Sequence, residues 1–133
     1  MEAWDAGSFG NDTASDWVYA LEECADLSFI EDTLQGILDV GGRYMNALDG
    51  AEAVAAAEVV AWLLGRPTPV DSDSQCVAEW VASHPLAPPP ALVGKALAVI
   101  HRIQGRRSEL AELWEKDAEW FTAMADLHAR LTL

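Results

Sequence analysis

Residues 51–64 read A-E-A-V-A-A-A-E-V-V-A-W-L-L, and the packing of the whole chain can be argued outward from this run. Apart from Glu52 and Glu58 it is apolar on every side. A helix that is apolar all round is a buried helix, and its small alanines let neighbouring helices come close. We therefore expect a central helix over residues 50–64, ended by the Gly-Arg-Pro of residues 65–67.

The rest of the chain predicts further helices around this one. Capping residues precede runs of apolar residues at helical spacing, and glycine or proline follows several of those runs. The predicted helices span residues 12–25, 29–40, 50–64, 74–83, 91–104 and 109–131. Lys116-Asp117 is a candidate break in the last of them. We expect an all-α fold: one domain over residues 1–133, a compact bundle of five to six helices with a buried alanine-rich centre.

An irregular arm over residues 1–10 precedes the first helix. Gly7 and Gly10 favour turns, and Trp4 and Phe9 are too large to stay in water without a reason. We expect these two rings to hold the arm against the central helix.

Glu58 is the acid whose position needs explaining. A buried carboxylate must be paired, hydrogen-bonded, protonated or at an edge of the bundle. One interpretation is a structural ion pair or hydrogen bond, with Arg43, His101 or Arg102 as candidate partners. The other is a functional carboxylate in a pocket.

The start of the first helix carries polar residues that have a structural explanation. Asn11 and Asp12 are both good N-caps, and Asp16 suits the positive end of the helix dipole. If the arm also makes a site with the central helix, these residues would be its polar part. The candidate binding residues are then Asn11, Asp12, Asp16, Glu58 and His101.

The charge is strongly negative and bears on the class of partner. Twenty-two acids stand against eight lysines and arginines, a net charge of −14. A field of this sign repels nucleic acids and anionic lipid surfaces, and it attracts basic proteins. The plainer interpretation is that the charge only keeps an apolar chain in solution.

Cysteine usage and hydropathy predict a cytoplasmic protein. Cys24 and Cys76 are too few for a disulfide scaffold and are read as free thiols in a reducing compartment. No secretory signal opens the chain. The longest apolar run, residues 53–64, is too short to span a bilayer.

Sequence patterns for catalysis and metal binding are missing. No zinc-ligand spacing, Glu-x-x-His pair, Gly-x-Ser-x-Gly or phosphate-binding glycine loop occurs. Residues 71–74 resemble the opening of a calcium loop but are not followed by its glycine. We therefore predict no catalytic residue, no metal ligand set and no cofactor, and we do not expect an enzyme.

The opening motif resembles that of a bacterial family known only as domain of unknown function 4259. Its pattern is W-x-x-G-x-F-x-N-D-x-A-x-D-W. The matching residues are Trp4, Gly7, Phe9, Asn11, Asp12, Ala14, Asp16 and Trp17. Residues 49–58, 64–67 and 108–114 are also similar to the family. The resemblance implies a helical, stand-alone bacterial domain and supplies no activity.

Three functions remain open. The leading hypothesis is a non-enzymatic binding protein that masks a basic protein partner, as toxin-neutralising immunity proteins do with cationic toxins. The alternative is a small-molecule or metal site between the arm and the central helix. The third is a structural homodimer through Trp80, Trp114 or Trp120. The expected partners exclude nucleic acid and membranes, and the expected state is a monomer or a homodimer.

Overall fold

The computed structural model describes residues 8–115 and 117–132, which form a compact all-α bundle as the sequence predicts. Its helices are α1 (Asp12–Glu22), α2 (Ser28–Val40), α3 (Ala47–Leu63), α4 (Gln75–Ser83), α5 (Pro90–Ile103), α6 (Glu109–Leu113) and α7 (Ala118–Thr132). Within this part of the chain there are seven helices instead of five to six, and no strand. None of the described helices is both long enough and apolar enough to cross a membrane.

The centre of the bundle is α3, the alanine-rich helix. It contacts each of the other six helices described, and every side chain from Ala53 to Trp62 is buried. Alanine adds only a methyl group to the helix surface, so neighbours can pack closely on all sides. One close approach is at Gly50, where an added Cβ would lie 3.3 Å from the side chain of Leu110.

The central helix begins three residues before its predicted start. The side chain of Asn46 caps it by accepting a hydrogen bond from the Asp49 N–H at 2.8 Å. The Glu109 carboxylate accepts another from the Ala47 N–H at 2.8 Å. Asn46 is therefore the N-cap, and Asp49 lies in the first turn, where its charge suits the helix dipole. At the other end the chain leaves through Gly65, whose φ is +83°.

The long helix predicted over residues 109–131 is two helices. The Trp114 carbonyl accepts a hydrogen bond from the Asp117 N–H at 2.8 Å, and the Asp117 carboxylate accepts one from the Glu119 N–H at 2.9 Å. This turn ends α6 and starts α7. It lets the buried rings of Trp114 and Trp120 stack at a centroid distance of 6.5 Å, which one straight helix would not allow.

The rings that were candidates for a homodimer face are all buried. Trp80, Trp114 and Trp120 are at most 9% exposed. Trp80 also donates its indole N–H to the Cys24 carbonyl at 3.0 Å. A face built from these three rings is therefore not available on the surface of the bundle.

The described end of the arm lies against α3. Phe9 is 5% exposed and meets the ring of Trp62 edge-on at 6.1 Å. Ser8 donates a hydrogen bond to Glu58 at 2.8 Å, and Asn11 then caps α1. Trp4, the other predicted anchor, lies outside the described residues.

Candidate functional site

Glu58 is buried and fully engaged. Its side chain is 3% exposed, and both carboxylate oxygens face the guanidinium of Arg130, with Nη2 to Oε1 at 3.0 Å and Nη1 to Oε2 as the second contact. Ser8 donates to Oε1 at 2.8 Å, and the Trp62 indole N–H donates to Oε2 at 3.1 Å. One carboxylate thus joins the arm, α3 and α7.

The ion pair of Glu58 was foreseen as one interpretation, but its partner was not among the three residues proposed. Arg43 donates to the Val40 carbonyl at the end of α2. Arg102 donates to the Gly41 carbonyl at 3.2 Å and to the carbonyls of two neighbouring loop residues. His101 is exposed on α5. All three lie elsewhere because the end of α2 and the end of α5 meet each other, not the middle of α3.

Arg130 is held from several sides. Its Nε donates to Asp126, one helical turn earlier, at 2.8 Å, and Nη1 also donates to the Arg66 carbonyl at 3.1 Å. Arg66 returns a hydrogen bond to the Arg130 carbonyl at 2.9 Å. Burial lowers the pKa of Arg130, but the hydrogen bond and charge of Glu58, followed by those of Asp126, raise it above its usual value. The guanidinium therefore stays charged.

A cleft of about 490 Å³ opens beside this network. It lies between the arm, the loop that follows α3, and α7. Its apolar lining comes from Phe9, Pro69 and Ala123. Its acidic lining comes from five carboxylates, Glu58, Asp71, Asp73, Glu119 and Asp126.

The cleft carries more negative charge than its own cations balance. Arg130 pairs with two of the five carboxylates, Glu58 and Asp126. Among the described residues, no lysine or arginine lies within ion-pairing distance of Asp71, Asp73 or Glu119. The surplus is exposed, since these three residues lie at the surface.

The acidic loop has a fixed shape. One carboxylate oxygen of Asp71 accepts hydrogen bonds from the backbone N–H groups of Asp73 and Ser74, both at 3.0 Å. The Ser74 hydroxyl accepts one from the Asp71 N–H at 2.9 Å. This closed turn leads into α4 and holds Asp73 at the rim of the cleft.

The structure does not bring the predicted site residues together. Of the five candidates only Glu58 lines the cleft. Asn11 caps α1 by accepting from the Ala14 N–H at 2.8 Å, Asp12 and Asp16 are exposed on α1, and His101 is exposed on α5.

Sequence reasoning missed the four other carboxylates of the cleft. Only two sequence patterns could have indicated them. Residues 71–73 contain two aspartates, and Asp126 lies one helical turn before Arg130. Within residues 8–115 and 117–132, no three histidine, cysteine, aspartate or glutamate side chains are grouped so that they could hold a metal ion.

A second, smaller acidic cleft of about 240 Å³ lies between α2 and α3. Asp32, Asp49 and Glu52 contribute its carboxylates. Burial, and then the charge of Asp49, raise the pKa of Glu52. The Thr33 hydroxyl in its lining is already occupied, since it accepts from the Trp17 indole N–H at 2.9 Å.

Comparison with known proteins gives a family but no activity. Over residues 2–125 the chain matches the family described as Domain of unknown function (DUF4259). No match was found among curated proteins or among solved structures. The function therefore has to be argued from the clefts and surfaces of the molecule.

Proposed function

The protein belongs to the DUF4259 family, and we propose that it is a non-enzymatic binding protein that docks and masks a basic protein partner. The observation that carries this proposal is the surplus of carboxylates around the larger cleft. Asp71, Asp73 and Glu119 line it without a lysine or arginine in ion-pairing distance among the described residues.

The lining of the cleft suits a lysine or arginine side chain. Such side chains bury an aliphatic stem against apolar surface while the cationic head stays among polar groups. Phe9, Pro69 and Ala123 offer the apolar wall, and the surplus carboxylates offer the polar one. Arginine would gain most, because its guanidinium can bind a carboxylate through two hydrogen bonds.

The charge of the whole chain supports the same class of partner. A net charge of −14 steers a basic protein toward the surface before contact, which raises association rates by roughly 10- to 1000-fold at low salt. Such steering does not depend on a shaped pocket. It would act on a cationic toxin as readily as on any other basic protein.

A second candidate function is the binding of a small organic cation in the same cleft. The cleft lies between the arm and α3 and includes Glu58 in its lining, as the alternative hypothesis requires. Its volume of about 490 Å³ falls within the range of small-molecule sites.

Affinity capture with a cleft variant tests the leading proposal. The variant carries Asp71→Asn, Asp73→Asn and Glu119→Gln. The matched control carries Asp16→Asn and Glu22→Gln on the exposed face of α1 and Glu23→Gln at its C-cap. Both variants lose three negative charges, so they differ only in where on the molecule those charges are removed. The bait is the full chain, presented to an extract of the cell that encodes it.

We expect the wild-type chain to retain a basic protein at about 0.1 M salt and to release it near 1 M, where the Debye length falls from about 10 to about 3 Å. The cleft variant should bind that protein about tenfold more weakly and the control variant should not. Capture that is independent of salt, or equally weakened in both variants, would count against docking at the cleft. Calorimetry with spermidine as the probe would support the second candidate if it binds and no basic protein is retained.

A further inference from the structure

Three consecutive residues of the arm form one wall of the larger cleft. Ser8, Phe9 and Gly10 all belong to its lining. The other walls come from the loop after α3 and from α7. The described end of the arm therefore shapes the cleft as well as covering part of α3.

Two side-chain contacts hold residues 8–10 on α3. The Ser8 hydroxyl donates to Oε1 of Glu58 at 2.8 Å, and the Phe9 ring meets the Trp62 ring edge-on at 6.1 Å. Glu58 and Trp62 are one helical turn apart and are themselves joined, since the indole N–H donates to Oε2 of the carboxylate at 3.1 Å. Because hydrogen bonds in such a network strengthen one another, we expect the two contacts of the arm to form and break together.

The opposite walls are held more firmly than residues 8–10. α7 buries four side chains in the bundle and is joined to α3 by the ion pair of Arg130 with Glu58. The loop is closed by the hydrogen bonds that the Asp71 carboxylate accepts. Residues 8–10 bury one side chain, that of Phe9. Since a segment with few buried contacts opens at a lower free energy than a packed helix, we expect this wall to open before the others do.

A basic side chain in the cleft depends on this wall. Lysine and arginine pack their aliphatic stems against apolar surface, and Phe9 supplies part of that surface together with Pro69 and Ala123. When residues 8–10 leave α3, the cleft loses one side and becomes more open to water, which weakens the attraction between a cation and the carboxylates. Binding is therefore stronger while the wall is in place.

We propose that residues 8–10 regulate the cleft: a basic side chain of the partner binds while Ser8 and Phe9 are docked on α3, and its binding keeps them docked. The proposal rests on the proposed function and adds a means of controlling it. The coupling is reciprocal, because a ligand that prefers one of two states shifts the balance toward that state. A substitution that undocks the wall should weaken binding, and a bound ligand should reduce the undocked fraction.

Cleavage by chymotrypsin after Phe9 measures undocking. Phe9 is 5% exposed while it is docked, so the protease reaches this bond only when the wall opens. Cleavage of a transiently open form follows the population of that form when opening and closing are fast. The probe is hexaarginine, which has no aromatic residue. The control is a synthetic peptide of residues 1–14, which contains the same bond without the bundle.

With hexaarginine at about 100 times its dissociation constant, cleavage after Phe9 should be about 100-fold slower than in the free protein. Cleavage of the control peptide should not change. Ser8→Ala should speed the cleavage about tenfold, because it removes a hydrogen bond to a charged group, and Ser8→Thr should restore the wild-type rate. The rate for each variant is divided by that for a peptide with the same substitution.

Calorimetry with hexaarginine measures the reverse effect. Phe9→Ala should weaken binding at least about tenfold, equivalent to 1.4 kcal/mol, because the wall no longer docks. Leu34→Ala is the matched control: Leu34 is buried on α2 and does not line the cleft, so its loss destabilises the bundle without changing the site. It should bind as the wild-type chain does. If Phe9→Ala does not fold, the cleavage rate of Ser8→Ala decides the question.

The outcomes separate this inference from the proposed function. If the cleft variant weakens hexaarginine binding, but Phe9→Ala does not and the bound probe leaves cleavage after Phe9 unchanged, residues 8–10 do not regulate the cleft and the proposed function stands. If the cleft variant binds hexaarginine as tightly as the wild-type chain, both are contradicted. Equal weakening by Leu34→Ala and Phe9→Ala would trace the effect to the stability of the whole bundle and overturn the inference.

Discussion

Glu58 in the middle of α3 and Arg130 in the last turn of α7 form a two-point ion pair, although they are 72 residues apart in sequence. The pair is buried, with side-chain exposures of 3% and 12%. Ser8 and Trp62 supply the remaining hydrogen bonds to the carboxylate. Removing Arg130 would leave the buried carboxylate of Glu58 without its cation, whereas removing Glu58 would leave Arg130 paired with Asp126 alone.

Single substitutions in this pair should destabilise the protein strongly. Arg130→Met should lower the free energy of unfolding by about 3–5 kcal/mol, because the buried carboxylate of Glu58 loses its cation. Glu58→Gln should cost less, because Arg130 keeps its ion pair with Asp126. Urea denaturation followed by circular dichroism measures this. The double variant Glu58→Gln/Arg130→Met should lose less stability than the sum of the two single losses. A loss equal to that sum would show that the two residues do not act as a pair.

The arm should contribute to stability through Phe9. Because Phe9 is buried against Trp62, Phe9→Ala should lower the free energy of unfolding by about 3–5 kcal/mol. Tyr19→Ala is the control, since that ring is exposed and its loss should cost less than about 0.5 kcal/mol. An unchanged melting curve for Phe9→Ala would mean that the arm is an appendage of the bundle.

The end of α2 offers a matched pair of glycines. An added Cβ would meet nothing within 4 Å at either Gly41 or Gly42, but only Gly41 has a positive φ, +61°. Gly41→Ala should therefore cost roughly 1–3 kcal/mol through backbone strain alone. Gly42→Ala should be neutral or slightly stabilising. Thermal unfolding of the two variants compares them directly, and equal effects would rule out strain as the cause.

Glu52 should make stability depend on pH with a defined sign. Burial and the charge of Asp49 raise its pKa in the folded state, so the folded protein binds this proton more tightly than the unfolded chain does. The contribution of this proton to stability is fully present at pH values below the pKa of Glu52 in the unfolded chain. It is lost as the pH rises through the pKa of Glu52 in the folded protein. Glu52→Gln removes this dependence.

At pH values below 4.5, the usual pKa of glutamate, the variant Glu52→Gln should therefore have the same melting temperature as the wild-type protein. At neutral pH its melting temperature should be higher. The gain should stay below about 4 °C, since the carboxylate is only partly buried and about 1 kcal/mol gives a shift of that size. Glu22→Gln on the exposed face of α1 corrects for the change in net charge. A lower melting temperature at neutral pH would contradict the direction.

Several sequence predictions depended on local pattern, and these describe the fold well. The alanine and valine residues on either side of Glu58 in residues 53–61 predicted a buried central helix, and α3 is that helix. The predicted start of α3 at residue 50 was wrong, because Asn46 caps the helix three residues earlier. The last predicted helix is divided by a turn at Asp117, within its candidate break, so that two tryptophan rings can stack.

By itself the sequence determined the helical class, the central place of α3 and the need of Glu58 for a partner, because apolar periodicity and the cost of a buried charge are properties of short segments. Only the tertiary structure decided that Arg130 is that partner and that Asp71, Asp73 and Glu119 share one cleft. The chain contains 22 acids, and their spacing in the sequence does not show which of them lie close together. Their distances exist only once the loop after α3 and α7 have packed around the same end of the central helix.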